Sequence, residues 1–245
     1  RSFGPRMEEV FSQRAQAASL IALVDDSQQH IEAATHALNL AEEALDAAAQ
    51  ALSAQRAAAA PRFAKEVCAQ MARLEMGSTE LVVDVALQPR AAWTRGGPDH
   101  VEFMFRAGTG MQARPLARIA SGGEVSRVML AIKVVLGQVD EVGTLVFDEV
   151  DAGVGGATAV ALAEVLADLA QTHQLIVVTH LAQVAVAADA HYVVEKRQTA
   201  AGAPETCLRA LAADDRVAEI ARMLSGDTSQ ASLEHARALL AHKRV

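Results

Sequence analysis

Val10, Ala17, Val24, Ile31, Leu38, Leu45, Leu52 and Ala59 recur at a strict spacing of seven, and no proline or glycine falls between Arg6 and Ala60. A seven-residue apolar phase held over eight positions stays on one side of a helix only when that helix winds about a partner. Three residues after each comes a second seam, Gln13, Leu20, Ser27, Ala34, Ala41, Ala48 and Gln55. The heptad therefore has one large and one small side. The small side lets backbones approach closely, which suits an antiparallel partner. At about 1.5 Å per residue, fifty helical residues reach roughly 75 Å. No second heptad helix follows, so upstream sequence or another chain would supply the partner. A long amphipathic helix in the core of a bundle is the alternative reading. Residues 1–60 thus read as a coiled-coil arm helix and residues 61–245 as a globular lobe. A start at Arg1 rather than Met fits a piece of a longer protein.

Composition excludes several function classes. No apolar run approaches the eighteen or so residues of a membrane span, and no signal peptide opens the chain. Cys68 and Cys207 lack metal-ligand spacing and read as reduced thiols of a cytoplasmic protein. A net charge of −8 opposes a tight grip on DNA by this chain alone, because phosphate contacts need Lys and Arg. Aromatic residues at 3% offer little for base stacking.

Beyond the arm, Pro61 is placed to open a new helix over Arg62 to Leu74, ended by Gly77. The segments 80–87 and 101–105 alternate as two strands of a hairpin, joined through Pro89, Gly96, Gly97 and Pro98. A helix is expected from Val125 to Gly137. The order then becomes strand (Leu145 to Phe147), helix (Ala157 to Ala170) and strand (Leu175 to Val178), a right-handed βαβ unit whose first strand reads as fully buried. A short helix over Ala182 to Ala188 follows, then a strand pair around a loop at Gly202. Two helices finish the chain, the first capped by Asp214 or Asp215 and stopped by Gly226, the second running from Ser232 to Lys243.

Three motifs carry chemistry, in a telling order. Leu145-Val146-Phe147-Asp148-Glu149 is an apolar strand ending in two carboxylates, at the strand edge where open α/β sheets place their ligands. Neighbouring residues there point to opposite sides, so one carboxylate can hold Mg²⁺ while the other faces an attacking water. Alone, such a pair begins a turn as readily. Upstream, Ser121-Gly122-Gly123-Glu124 offers a hydroxyl and two unobstructed amides at a helix N-terminus, a place for an anion. Ser121 and Glu124 also form an ordinary capping box, and the two readings are compatible. Downstream, Leu175 to Val178 leads through Thr179 to His180, placed to sense a phosphate. Between them, Asp151-Ala152-Gly153-Val154-Gly155-Gly156 makes an adaptable loop. A phosphate-cradling G-x-x-x-x-G-K-[ST] loop is missing, and none of the four lysines sits in one.

These motifs resemble the signature, Walker B and switch-histidine elements of ABC-type ATPases. The stretch from Pro115 to Lys196 is similar to the ATPase head of SMC-like proteins. Its phrasing Leu116 to Arg127, Phe147 to Gly156 and Val178 to Ala185, with Arg216 to Leu224 at the end, resembles the RecN family of bacterial DNA-repair proteins. That likeness covers roughly residues 60 to 240 and implies the C-terminal half of an ABC-type P-loop ATPase head, an α/β fold, with part of its coiled coil. It implies Asp148 as the Mg²⁺ residue, with Glu149 as catalytic base and His180 as the switch. Ser121, Gly122, Gly123, Glu124 and Asp151 would serve ATP, the first three on a γ-phosphate held by an opposing head. Arg118 would be an extra phosphate or DNA contact.

The implied partners are the N-terminal half of the same head, which carries the phosphate loop, a second identical head, and DNA through the full assembly, with no membrane. The implied work is ATP-driven head dimerisation in double-strand break repair and recombination, in the cytoplasm at the nucleoid. A non-catalytic coiled-coil interaction module is one alternative, weakened by the intact Asp148-Glu149 pair. The nucleotide-binding domain of an ABC transporter is another, weakened by the heptad arm and the hairpin.

Overall fold

The computed structural model describes residues 6–119, 121–139, 141–198 and 204–242. Ala120 of the signature stretch, the loop at Gly202 and Lys243 lie outside the described residues. The longest element is helix α1, Met7–Arg73. Pro61 lies inside it rather than opening a new helix. The residue forfeits one backbone N–H, and the four alanines before it, 57–60, are the strongest helix formers available to offset that cost.

Backbone contacts divide the chain into two units, one of residues 1–57 with 87–99, the other of 58–86 with 100–245. In the first unit the heptad stripe stands open, with Val24, Ile31, Leu38 and Leu45 all half exposed or more. Its other segment docks on the helix through polar contacts. Ser53 and Arg56 both donate to the carboxylate of Asp99, at 2.6 and 3.1 Å, and Arg56 also reaches the Gly96 carbonyl. Arg90 pairs with Asp46 and lies over the Trp93 ring, 5.0 Å from its centre. Gly97 has φ 113°, and a Cβ there would stand 2.6 Å from the Leu52 side chain, so only glycine fits.

In the second unit α1 ends in a Schellman turn. The Met76 N–H donates to the Met71 carbonyl and the Glu75 N–H to Ala72. Glu75, not Gly77, takes the left-handed conformation, at φ 60°. The hydrophobic pair Met71 and Met76, buried at either end of that turn, holds a glutamate where glycine is usual. Strands β1 (Glu80–Leu87), β2 (Asp99–Arg106) and β3 (Arg114–Pro115) follow in that spatial order, β2 and β3 being antiparallel.

Helix α2 (Gly122–Leu136), strand β4 (Thr144–Phe147), helix α3 (Gly156–Leu169) and strand β5 (Gln174–Val177) form the βαβ layer. β4 and β5 are parallel and in register from Thr144↔Gln174 to Phe147↔Val177. One face of this pair is covered by Val128 and Leu130 of α2 and Leu162 and Leu166 of α3. The other face is bare. β4 alternates instead of being buried on both sides, and Val146 is 66% exposed in an open cleft that it lines with Val125, Met129 and Lys133 of α2.

Helix α4 (Ala182–Ala187), the antiparallel strands β6 (Tyr192–Gln198) and β7 (Pro204–Ala210), and helices α5 (Ala213–Ser225) and α6 (Gln230–His242) complete the chain. The N-cap of α5 is Ala212, so Asp214 and Asp215 fall in its first turn instead of capping it. There they favour the helix dipole, and Asp215 pairs with Arg209. Gly226, at φ 76°, closes α5 with its N–H on the Arg222 carbonyl.

Met71 is fully buried where the end of α1 meets Leu74, Leu81 and Phe105 in the principal core. Met71→Ala should cost about 2–5 kcal/mol. Chemical denaturation should show it as a lower midpoint with an unchanged slope.

Candidate functional site

The parallel register of β4 and β5 brings Asp148-Glu149 and Thr179-His180 to the same edge of the sheet. The Val178 N–H donates to the Phe147 carbonyl at 2.9 Å, carrying the pairing one step past both strands. Asp148 and Glu149 are both exposed there. The Asp148 carbonyl accepts from Ser126 Oγ of α2 at 3.1 Å, which ties the strand end to that helix.

The signature serine caps α2. Its Oγ accepts from the Glu124 N–H at 3.4 Å, a long bond. Glu149 turns back onto this helix end. It adopts φ 56°, a left-handed conformation that L residues other than Asn and Asp seldom take. A Cβ on Gly122 would sit 2.7 Å from Glu149 Oε2, so the catalytic-base candidate and the signature turn share one small space. A carboxylate there is favoured by the dipole of α2. Gly123 is closed in as well, since a Cβ on it would stand 2.9 Å from both Cβ and carbonyl oxygen of Ala152.

Arg127, given no role from sequence, stitches these pieces together. Its Nη1 donates to the carbonyls of Val150 at 3.3 Å and Ala152 at 2.9 Å. Burial pulls its guanidinium below its ordinary pKa, and Glu124 opposes the shift. Its placement one turn after Glu124, on the helix face toward the loop, was the available signal.

Asp151 lies apart from the exposed carboxylates. It is 3% exposed, and its Oδ2 accepts from Thr179 Oγ1 at 2.6 Å and from the His180 N–H at 2.9 Å. His180 Nδ1 stands 3.1 Å from the same oxygen, while the imidazole side chain remains 70% exposed. Arg118 is the exposed last residue of a short turn, Leu116–Arg118, whose Leu116 packs against the core.

Among the described residues no three His, Cys, Asp or Glu side chains gather to hold a metal ion. Mg²⁺ is usually held by one or two carboxylates with phosphates and waters, so a single exposed Asp148 matches the protein's share of such a site. No described helix is long and apolar enough to cross a membrane.

Strands that present Asp-Glu and His at one edge, beside a helix opened by Ser-Gly-Gly, define an α/β lobe preceded by a long helix. No protein-family model matches the chain. Curated proteins match over most of its length, and it belongs to the RecN family. DNA repair protein RecN of Deinococcus radiodurans is 43% identical over 239 residues, 98% of this chain and 42% of that protein. RecN of Treponema pallidum is 48% identical over 198 residues, 79% of this chain and 34% of its own. RecN of Mycobacterium leprae is 42% identical over 259 residues, 98% of this chain and 44% of its own. The chain therefore spans less than half the length of these relatives. Among solved structures, the Smc head domain with a coiled coil and joint from Pyrococcus yayanosii overlaps at TM-score 0.46 and 19% identity, covering 75% of this chain and 29% of that one. The overlap is partial, and the family assignment rests on the RecN relatives.

Proposed function

We propose that this chain is the C-terminal half of an ATP-hydrolysing head whose ATP-driven dimerisation serves DNA double-strand break repair and recombination. The carrying observation is the parallel pairing of β4 and β5, which puts Asp148, Glu149 and His180 on one edge beside the N-terminus of α2. Membership in a family of proteins named for DNA repair supports the biological role. Residues 1–60 act as the arm and 61–245 as the lobe. Asp148 would help hold Mg²⁺, whose chemistry is to neutralise charge on the phosphates. Glu149 takes the proton of the attacking water and His180 hydrogen-bonds the γ-phosphate. Ser121, Gly122 and Gly123 receive the γ-phosphate of ATP bound to an opposing head.

The N-terminal half of the head covers the bare face of the sheet, where Val146, Ile176 and Val178 are exposed. DNA is met by the whole assembly, in the cytoplasm at the nucleoid, since the acidic balance of this chain opposes a grip of its own.

The chain alone should not hydrolyse ATP, because nothing in its sequence cradles β- and γ-phosphates. Mixing it with a phosphate-loop-bearing N-terminal half should produce turnover in a coupled phosphate-release assay. Magnesium-dependent hydrolysis by the pure chain, or none by the mixture, would sink the reading.

A further inference from the structure

Asp151 is buried, ionisable and on the loop that directly follows the exposed carboxylates. A carboxylate seldom leaves water unless donors meet it, and here one oxygen accepts two hydrogen bonds and faces a ring nitrogen. Thr179 Oγ1 lies at 2.6 Å, the His180 N–H at 2.9 Å and His180 Nδ1 at 3.1 Å. Thr179 Oγ1 accepts in turn from the Leu181 N–H at 3.0 Å, so the turn after β5 is held at both of its bends. The imidazole turns Nδ1 toward this carboxylate. Its remaining surface is open, the side chain being 70% exposed.

We infer that Asp151 is the positioning residue of His180. It fixes the proton on Nδ1 and aims Nε2 outward, toward the γ-phosphate of a nucleoside triphosphate. It does not itself touch nucleotide. A ring nitrogen's partner selects the tautomer, and a buried carboxylate selects Nδ1–H. The loop bearing Asp151 also carries Ala152, whose carbonyl accepts from Arg127 of α2 and whose Cβ abuts Gly123. The aim of His180 and the seat of the signature helix are thus set by consecutive residues of one loop. This inference rests on the ATPase reading for its purpose, but the pairing itself needs no nucleotide.

Two measurements separate these claims. In the 245-residue chain, at about pH 8.5 where an ordinary imidazole is neutral, ¹⁵N–¹H correlation spectra should show His180 protonated on Nδ1. The signal is assigned by its loss in His180→Gln. Asp151→Asn leaves only a neutral oxygen beside Nδ1 and should lower the Nδ1–H population, while Asp151→Ala should return it to the minority share of a free imidazole. In the head completed by its phosphate-loop half, Asp151→Asn should reduce kcat about 10- to 100-fold, as loss of an orienting partner typically does, with KM for ATP unchanged.

Protonation of His180 on Nε2 in the unmodified chain overturns the inference even if neither variant folds. So does an Asp151→Asn head that turns over at the parental rate. A completed, unmodified head without ATPase activity overturns the functional reading instead, and leaves the tautomer result standing.

Discussion

Glu149→Gln, in a head completed by its phosphate-loop half, should bind ATP normally and hydrolyse it roughly 10²- to 10⁴-fold more slowly, the usual contribution of a general base. Glutamine keeps the length and shape of the side chain. It therefore preserves both the left-handed backbone at φ 56° and the close approach to Gly122. What it removes is the capacity to take a proton from water. With Asp148, His180 and the Asp151 contacts untouched, nucleotide binding and head closure should survive while the chemical step stalls. ATP-bridged dimers should then accumulate, and gel filtration should register them as a shift to larger size. Hydrolysis at the parental rate would show that Glu149 is not the base.

Much of this site was legible in sequence because its parts are local. An apolar run ending in two acids, a Ser-Gly-Gly turn and a strand ending in His each carry their own backbone rule. What was not legible depends on contacts between distant segments. The resemblance gives Asp151 to ATP, but nothing in the sequence pairs it with Thr179 and His180 until the register of β4 with β5 sets it against them. The exposure of Val146 is equally invisible, because an apolar strand has the same sequence whether both faces or one is covered by its own chain. The polar docking around Asp99 and Gly97 is hidden for the same reason, since the sequence there shows only a hairpin loop. Pro61 and Gly77 misled in another way. Local breakers suggest boundaries, but an alanine run carries the helix through Pro61, and the pair Met71 and Met76 sets the stop at Glu75. Neighbouring helix propensity overrode the single residue at Pro61, and packing overrode it at Glu75.

Ser121→Arg should give the opposite result to Glu149→Gln in the same sizing experiment. Ser121 is exposed, so an arginine there has room in the isolated lobe and should not disturb its core. The substitution does remove the hydroxyl that accepts from the Glu124 N–H. Loss of an N-cap costs about 1 kcal/mol, and Ser121→Ala isolates that cost without adding bulk. ATP affinity of the single completed head should barely change in either variant, because the phosphate loop belongs to the other half. In Ser121→Arg the long side chain would occupy the exposed surface at the start of α2, where the opposing head's γ-phosphate must dock. ATP-dependent dimerisation should then be lost, and hydrolysis should fall to the level of an unpaired head, whereas Ser121→Ala should retain most of both. Dimers of Ser121→Arg forming normally with ATP would reduce the Ser-Gly-Gly turn to a helix cap. The active site would then have to be complete within one head, and the dimer-gated mechanism proposed here would fail.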